Sequence, residues 1–149
     1  MCSYCGCESV AVVGRFMAEH VEIVNACGDL RRACAADGTD VARAADRLRG
    51  LLRPHTHAEE VGMFAVLAED VEFTEHVRSL CDEHVTLEDL LAEVASGRAD
   101  VMPIFERALR DHIDREENGL FPAAAIAFAG PEWERVDVLT PPPAPAARP

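Results

Sequence analysis

The sequence predicts an all-α fold, an antiparallel up-down-up-down four-helix bundle with a short C-terminal helical turn. Three observations predict it. The chain has few aromatics (5%) and much alanine, leucine, arginine and glutamate, the residues that cost least inside a helix. Breakers and caps cut it into four long segments, and each carries an apolar stripe at three- and four-residue spacing. The links between segments are short, which makes sequential helices antiparallel neighbours.

The first segment starts at a Ser9 cap and runs to about Ala36, where Asp37-Gly38 stops it. Its stripe is Val13, Phe16, Met17, Ile23, Val24 and Leu30. Thr39 or Asp40 caps the second, which reaches about Glu69 on Val41, Ala45, Leu48, Leu52, Met63 and Leu67. Pro54 lies in its interior and predicts a kink. The third begins between Asp70 and Thr74 and ends before Gly97, with Val77, Leu80, Leu87, Leu91 and Val94 inward. Asp100 caps the fourth, with Pro103 in the first turn, where proline is tolerated. That helix uses Phe105, Ala108, Leu109 and Ile113 and continues to Gly130-Pro131, bent at Pro122.

The domain reading follows. Residues 1–8 form a cysteine-rich N-terminal segment, 9–130 the bundle, 131–139 a short helical cap with Trp133 on the bundle end, and 140–149 a disordered Pro/Ala-rich tail. One domain suits 149 residues.

Charge narrows the function. With 14 basic against 27 acidic side chains the net charge is −13, so nucleic acid and anionic membranes are repelled as partners. No stretch has the length of a membrane span, and the start lacks the basic and apolar regions of a signal peptide, so a cytoplasmic location is expected. In that compartment six cysteines suggest thiols or metal ligands rather than disulfides.

Four histidines interrupt the stripes: His20 on the first helix, His55 on the second, His84 on the third and His112 on the fourth. A lone inward histidine is ordinarily a satisfied core side chain. Helix rise, however, puts all four roughly 15–21 Å from the end that holds the chain start. Four imidazoles at one depth are unstable as unpaired polar groups, and a metal satisfies them. His55-Thr-His-Ala-Glu59 and His112-Ile-Asp-Arg-Glu116 both read His-x3-Glu, which puts both side chains of each motif on one helix face. A carboxylate in a bundle is costly alone and natural between two cations. Imidazole and oxygen donors without thiolate favour iron or manganese over a structural zinc. Glu60 and Glu117 are the expected partners of the ligands.

The ordered set His20, His55-x3-Glu59, His84, His112-x3-Glu116 resembles the pattern of the bacterial hemerythrin-like (HHE cation-binding) domain family over roughly residues 9–130. The two motifs also share their sequel, Glu-Glu-Val-Gly-Met-Phe at 59–64 and Glu-Glu-Asn-Gly-Leu-Phe at 116–121. The resemblance implies two iron ions bridged by an oxo or hydroxo group, His20 and His55 serving one, His84 and His112 the other, and Glu59 and Glu116 bridging. Animal oxygen-carrying hemerythrins have a further histidine one turn before the position matched by His84; here it is Leu80. More positions are then open to a small diatomic ligand or peroxide, so peroxide or nitric oxide chemistry, catalase-like turnover included, is expected ahead of simple oxygen carriage. The alternative is an oxygen- or redox-sensing or metal-binding module without turnover. An electron donor and a second copy of the chain are the macromolecular partners left open.

Cys2-x2-Cys5-x-Cys7 offers three close thiols, for a zinc or iron that needs a fourth ligand or for redox sensing. His76, ~12 Å nearer the chain start than His84 by helix rise, is one candidate for that ligand. Cys81 is another. Cys27 and Cys34 read as small buried hydrophobes. His57, two residues from His55, points away from the ligand face.

Overall fold

The computed structural model describes residues 10–145. Helix α1 (Ala11–Ala35) follows Val10, whose extended backbone forms the N-cap position; the expected Ser9 cap lies outside the described residues. The helix ends where Gly38 adopts a positive φ of 78°, a conformation glycine takes without steric cost. Helix α2 (Val41–Glu59) starts at Asp40, yet the carboxylate at work there belongs to Asp37, which accepts from the Thr39 N–H at 3.1 Å and hydroxyl at 2.8 Å. Pro54 sits inside an unbroken α-helical stretch. The departure from α geometry comes later, in a π-helical turn over Glu60–Phe64, before the last turn α3 (Ala65–Leu67).

Asp70 caps helix α4 (Val71–Ala95), its side chain accepting from the Glu72 N–H at 2.9 Å. Gly97 turns the chain with φ 107° into a 3-10 turn, Ala99–Val101. The expected Asp100 cap lies inside that turn, paired with Arg98 at 2.9 Å, and Val101 is the N-cap of helix α5 (Met102–Arg115). A second π-helical turn, Glu116–Leu120, leads into α6 (Phe121–Ala127). Pro122 has no N–H to give a preceding carbonyl, and the wider turn just before it absorbs the mismatch. This rod stops at Ala127, three residues before the expected Gly130, because Phe128 turns extended. Helix α7 (Gly130–Leu139) opens with the Glu132 carboxylate accepting from the Ala129 N–H, and Trp133 meets Phe128 edge-on at 5.0 Å.

Cross-helix pairs fix the packing as an all-α bundle. Asp29 meets Arg47 and Glu19 meets His55, so α2 runs against α1. Glu88 meets Arg53 and His84 meets Glu60, so α4 runs against α2. Arg31 meets Glu106 and His20 meets Glu117, so the α5 rod runs against α1.

The apolar interior falls into two parts. Towards the start of α1 pack Phe16, Met63, Phe64, Leu80 and Phe121; towards its end pack Leu30, Leu48, Leu91, Phe105 and Leu109. Between them lies one buried polar layer: His20, His55, Glu59, His84, His112 and Glu116, each at most 5% exposed. No helix among the described residues is long and apolar enough to cross a membrane.

Candidate metal centre

Each His-x3-Glu motif lies at the junction of an α-helix and a π turn: Glu59 is the last residue of α2 and Glu116 the first of the second π turn, so histidine and glutamate leave the same face of each rod. His55 Nε2 lies 3.1 Å from Glu59 Oε1, and His112 Nε2 lies 3.0 Å from Glu116 Oε1. The remaining two histidines come from α1 and α4. His20 Nε2 stands 3.0 Å from Glu116 Oε2 and 3.7 Å from Glu59 Oε1. His84 Nε2 stands 3.4 Å from Glu59 Oε2 and 3.7 Å from Glu116 Oε1.

Two groups of potential ligands result, with donor atoms inside each lying within 4.8 Å of one another: His20, His55, Glu59 and Glu116, and Glu59, His84, His112 and Glu116. Both glutamates belong to both groups, so each has an oxygen to offer on either side. We call the groups the first and second half-sites.

The outward Nδ1 atoms are all occupied. His55 Nδ1 donates to Glu19 at 2.7 Å, His84 to Glu60 at 2.7 Å, His112 to Glu83 at 2.7 Å and His20 to Glu117 at 2.9 Å. These bonds run round the bundle, each joining a histidine to a carboxylate on a neighbouring rod. With the proton fixed on Nδ1, each neutral ring turns its Nε2 lone pair inward.

That arrangement calls for a cation. His20 Nε2, His55 Nε2 and all four carboxylate oxygens of Glu59 and Glu116 are buried without a hydrogen-bond partner. Orphaned polar atoms in such number are costly unless something positive lies among them. Without metal the proton takes this place. Burial opposes the charge on His20, but the Glu116, Glu117 and Glu59 carboxylates overcome it and raise its pKa to about 11. The same contest raises His84 to about 10 and His55 to about 8, and raises His112 as well. Glu116 falls to about 2: burial and the Glu59 charge push it up, and the facing imidazoles outweigh them. Glu59 is held well below the carboxylate range, its burial outweighed by His55 and its neighbours. The centre attracts cations with two carboxylates and gathers two overlapping groups of four donors, all nitrogen or oxygen.

The expected site residues separate accordingly. His20, His55, Glu59, His84, His112 and Glu116 converge, and Glu60 and Glu117 hold His84 and His20. Glu19 and Glu83 escaped the sequence reading. Their signal was adjacency, since each immediately precedes an inward histidine, but neighbours on a helix face apart and such a glutamate reads as surface. His57 is exposed. His76 and Cys81 belong to neither group; His76 is half-buried beside Gly119, with a Cβ built there 3.9 Å from its Cε1. Cys81 is half-buried, its thiol pushed up to about 11 by burial and the acidic side chains of Glu60 and Asp82. Cys27 is buried with its thiol pushed up to about 11, and Cys34 is half-buried. Cys2, Cys5 and Cys7 lie outside the described residues. Leu80, fully buried, puts apolar surface one turn before His84.

The family model for the hemerythrin HHE cation-binding domain matches residues 11–124. No curated protein and no solved structure matches the chain.

Proposed function

The chain belongs to the hemerythrin HHE cation-binding domain family, and we propose that its buried centre holds two iron ions and binds or reacts with a small oxidant: oxygen, peroxide or nitric oxide. The observation that carries this reading is the sharing of Glu59 and Glu116 between two groups of four nitrogen and oxygen donors. Two carboxylates with an oxygen on each side suit a pair of cations better than one, and the absence of thiolate from these groups suits iron or manganese.

Iron bound there supplies electrons and open coordination positions, since four protein donors per ion leave room for a small ligand. The chain's own groups do the rest. Glu19, Glu60, Glu83 and Glu117 fix the imidazole tautomers and raise their basicity. Phe16, Phe64 and Phe121, all fully buried, keep bulk water from the inner face of the rings. Leu80, fully buried one turn before His84, adds an apolar side chain rather than a further ligand at that place, which favours a small uncharged reactant.

Stopped-flow mixing of the reduced, iron-loaded protein with peroxide, and separately with nitric oxide, tests the proposal. Reaction with either, faster than that of equimolar free iron and abolished in Glu116→Ala, is the expected result. No reaction above free iron with any of the three oxidants overturns it.

A further inference from the structure

The repeated segment after each His-x3-Glu motif does more than return the chain to α geometry. Glu60 accepts from His84 Nδ1 at 2.7 Å, and four residues on Phe64 stacks on the same ring, centroids 5.8 Å apart and planes 12° from parallel. Glu117 accepts from His20 Nδ1 at 2.9 Å, and Phe121 stacks on that ring at 6.0 Å and 5°. Each segment that spans a π turn therefore delivers three groups: a carboxylate to the centre (Glu59 or Glu116), then a carboxylate to one edge and a phenyl to one face of a single imidazole. In an α turn a residue and the fourth one after it lie on one face; the π turn sits across this segment and aims Glu60 and Phe64 together at α4, and Glu117 and Phe121 together at α1.

The imidazole so clamped is not the one in the same motif. The motif with His55 belongs to the first half-site but clamps His84 of the second. The motif with His112 belongs to the second half-site but clamps His20 of the first. His55 and His112 are held instead by Glu19 and Glu83, each the sequence neighbour of the other histidine in the same half-site. We propose that Glu60 with Phe64 and Glu117 with Phe121 are positioning residues, each pair orienting a histidine of the half-site opposite its own motif, so that the two metal positions are coupled. The inference rests on the two-metal reading above.

The coupling has a structural consequence. A change at Glu60 or Phe64 therefore reaches His84, across the centre from the His55 of its own motif, and a change at Glu117 or Phe121 reaches His20, across from His112. The ring plane matters because a metal must lie along the Nε2 lone pair; with edge and face both held, the imidazole is presented before the ion arrives.

Cobalt(II) titration of the full-length, metal-free protein tests this, followed by optical spectra and by proton NMR of the loaded form, in which each ligand imidazole contributes a shifted, exchangeable Nδ1–H signal. Glu60 is 40% exposed, so Glu60→Ala should fold. It should weaken cobalt binding by roughly 10–100-fold. It should also change the signal that His84→Ala removes, leaving the signal that His55→Ala removes in place. Glu60→Gln, whose amide oxygen still accepts from Nδ1–H, should restore most of the affinity. Phe64→Leu should move the same signal. Phe105→Leu, which trims an equally buried phenyl in the other part of the core, should lower stability without moving it. The positioning role is overturned if Glu60→Ala and Phe64→Leu leave the His84 signal unchanged, or alter the His55 signal instead. If the wild-type protein takes up cobalt without any shifted imidazole signal, the two-metal reading itself is overturned, and the positioning role with it.

Discussion

His84 Nε2 and His112 Nε2 stand 3.1 Å apart, while the Nδ1 atom of each ring is held by a carboxylate from a neighbouring rod. Two neutral imidazoles so anchored would point lone pairs at each other. A proton or a metal must intervene, and the predictions below turn on that competition.

Stability of the metal-free protein should fall with rising pH. His20, His84 and His55 have folded pKa values raised to about 11, 10 and 8. A raised value means the folded state binds the proton more tightly, so the contribution is full below the unfolded value of about 6.5 and is lost as pH climbs through the folded values. With chelator present, the melting temperature should drop progressively between about pH 6.5 and 11. Metal-loaded protein should not show this drop, because the metal replaces the proton. Thermal melts at paired pH values check it, and equal pH slopes in both forms would contradict it.

The shared glutamates and the separate histidines should differ in metal stoichiometry. Glu116→Ala removes an oxygen donor from both half-sites and should abolish binding of both ions. His55→Ala removes a donor from the first half-site alone and should leave the second ion bound, more weakly. Metal analysis after gel filtration distinguishes the two; equal loss in both variants would argue against half-sites as described.

The two glycines of the π turns should respond oppositely to alanine. A Cβ at Gly62 collides with the Thr140 side chain, which follows α7 and packs on the first π turn. Gly62→Ala should therefore cost about 1–3 kcal/mol, as overpacking does, and Thr140→Gly should recover part of that loss. At Gly119 the nearest atom is His76 Cε1 at 3.9 Å, an ordinary contact. Gly119→Ala should be neutral or stabilise by up to about 1 kcal/mol through helix propensity. Denaturant unfolding of Gly62→Ala, Gly62→Ala with Thr140→Gly, and Gly119→Ala measures both effects.

Cys81 should be a slow nucleophile despite its partial exposure. Burial and the charges of Glu60 and Asp82 raise its thiol to about 11. Its thiolate fraction near neutral pH should then be roughly 10²-fold below that of free cysteine. Alkylation followed by peptide mass spectrometry checks this; labelling at the rate of free cysteine would contradict it.

The fold class was legible because the periodicity of the four stripes and the breakers between them are local signals. The four histidines of the buried layer were legible as interruptions of those stripes at a common depth, and Glu59 and Glu116 through their His-x3-Glu spacing. The π turns were not: Glu60–Phe64 and Glu116–Leu120 keep a helical apolar pattern, and only the backbone hydrogen bonding differs. Glu19 and Glu83 were missed because their role depends on reaching across to another rod, which no single-helix pattern encodes. The early stop at Ala127 was missed for a related reason. Pro122 was expected to bend the helix; it directly follows the π turn and Phe121, and the rod ends where Phe128 turns extended and meets Trp133 edge-on.

The most direct test of the central claim is the metal content and optical spectrum of anaerobically purified protein, before and after exposure to air. The account predicts about two irons per chain, with near-ultraviolet charge-transfer absorption appearing in air and both features lost in Glu116→Ala. Zinc alone, in an amount unchanged by His55→Ala, would contradict it.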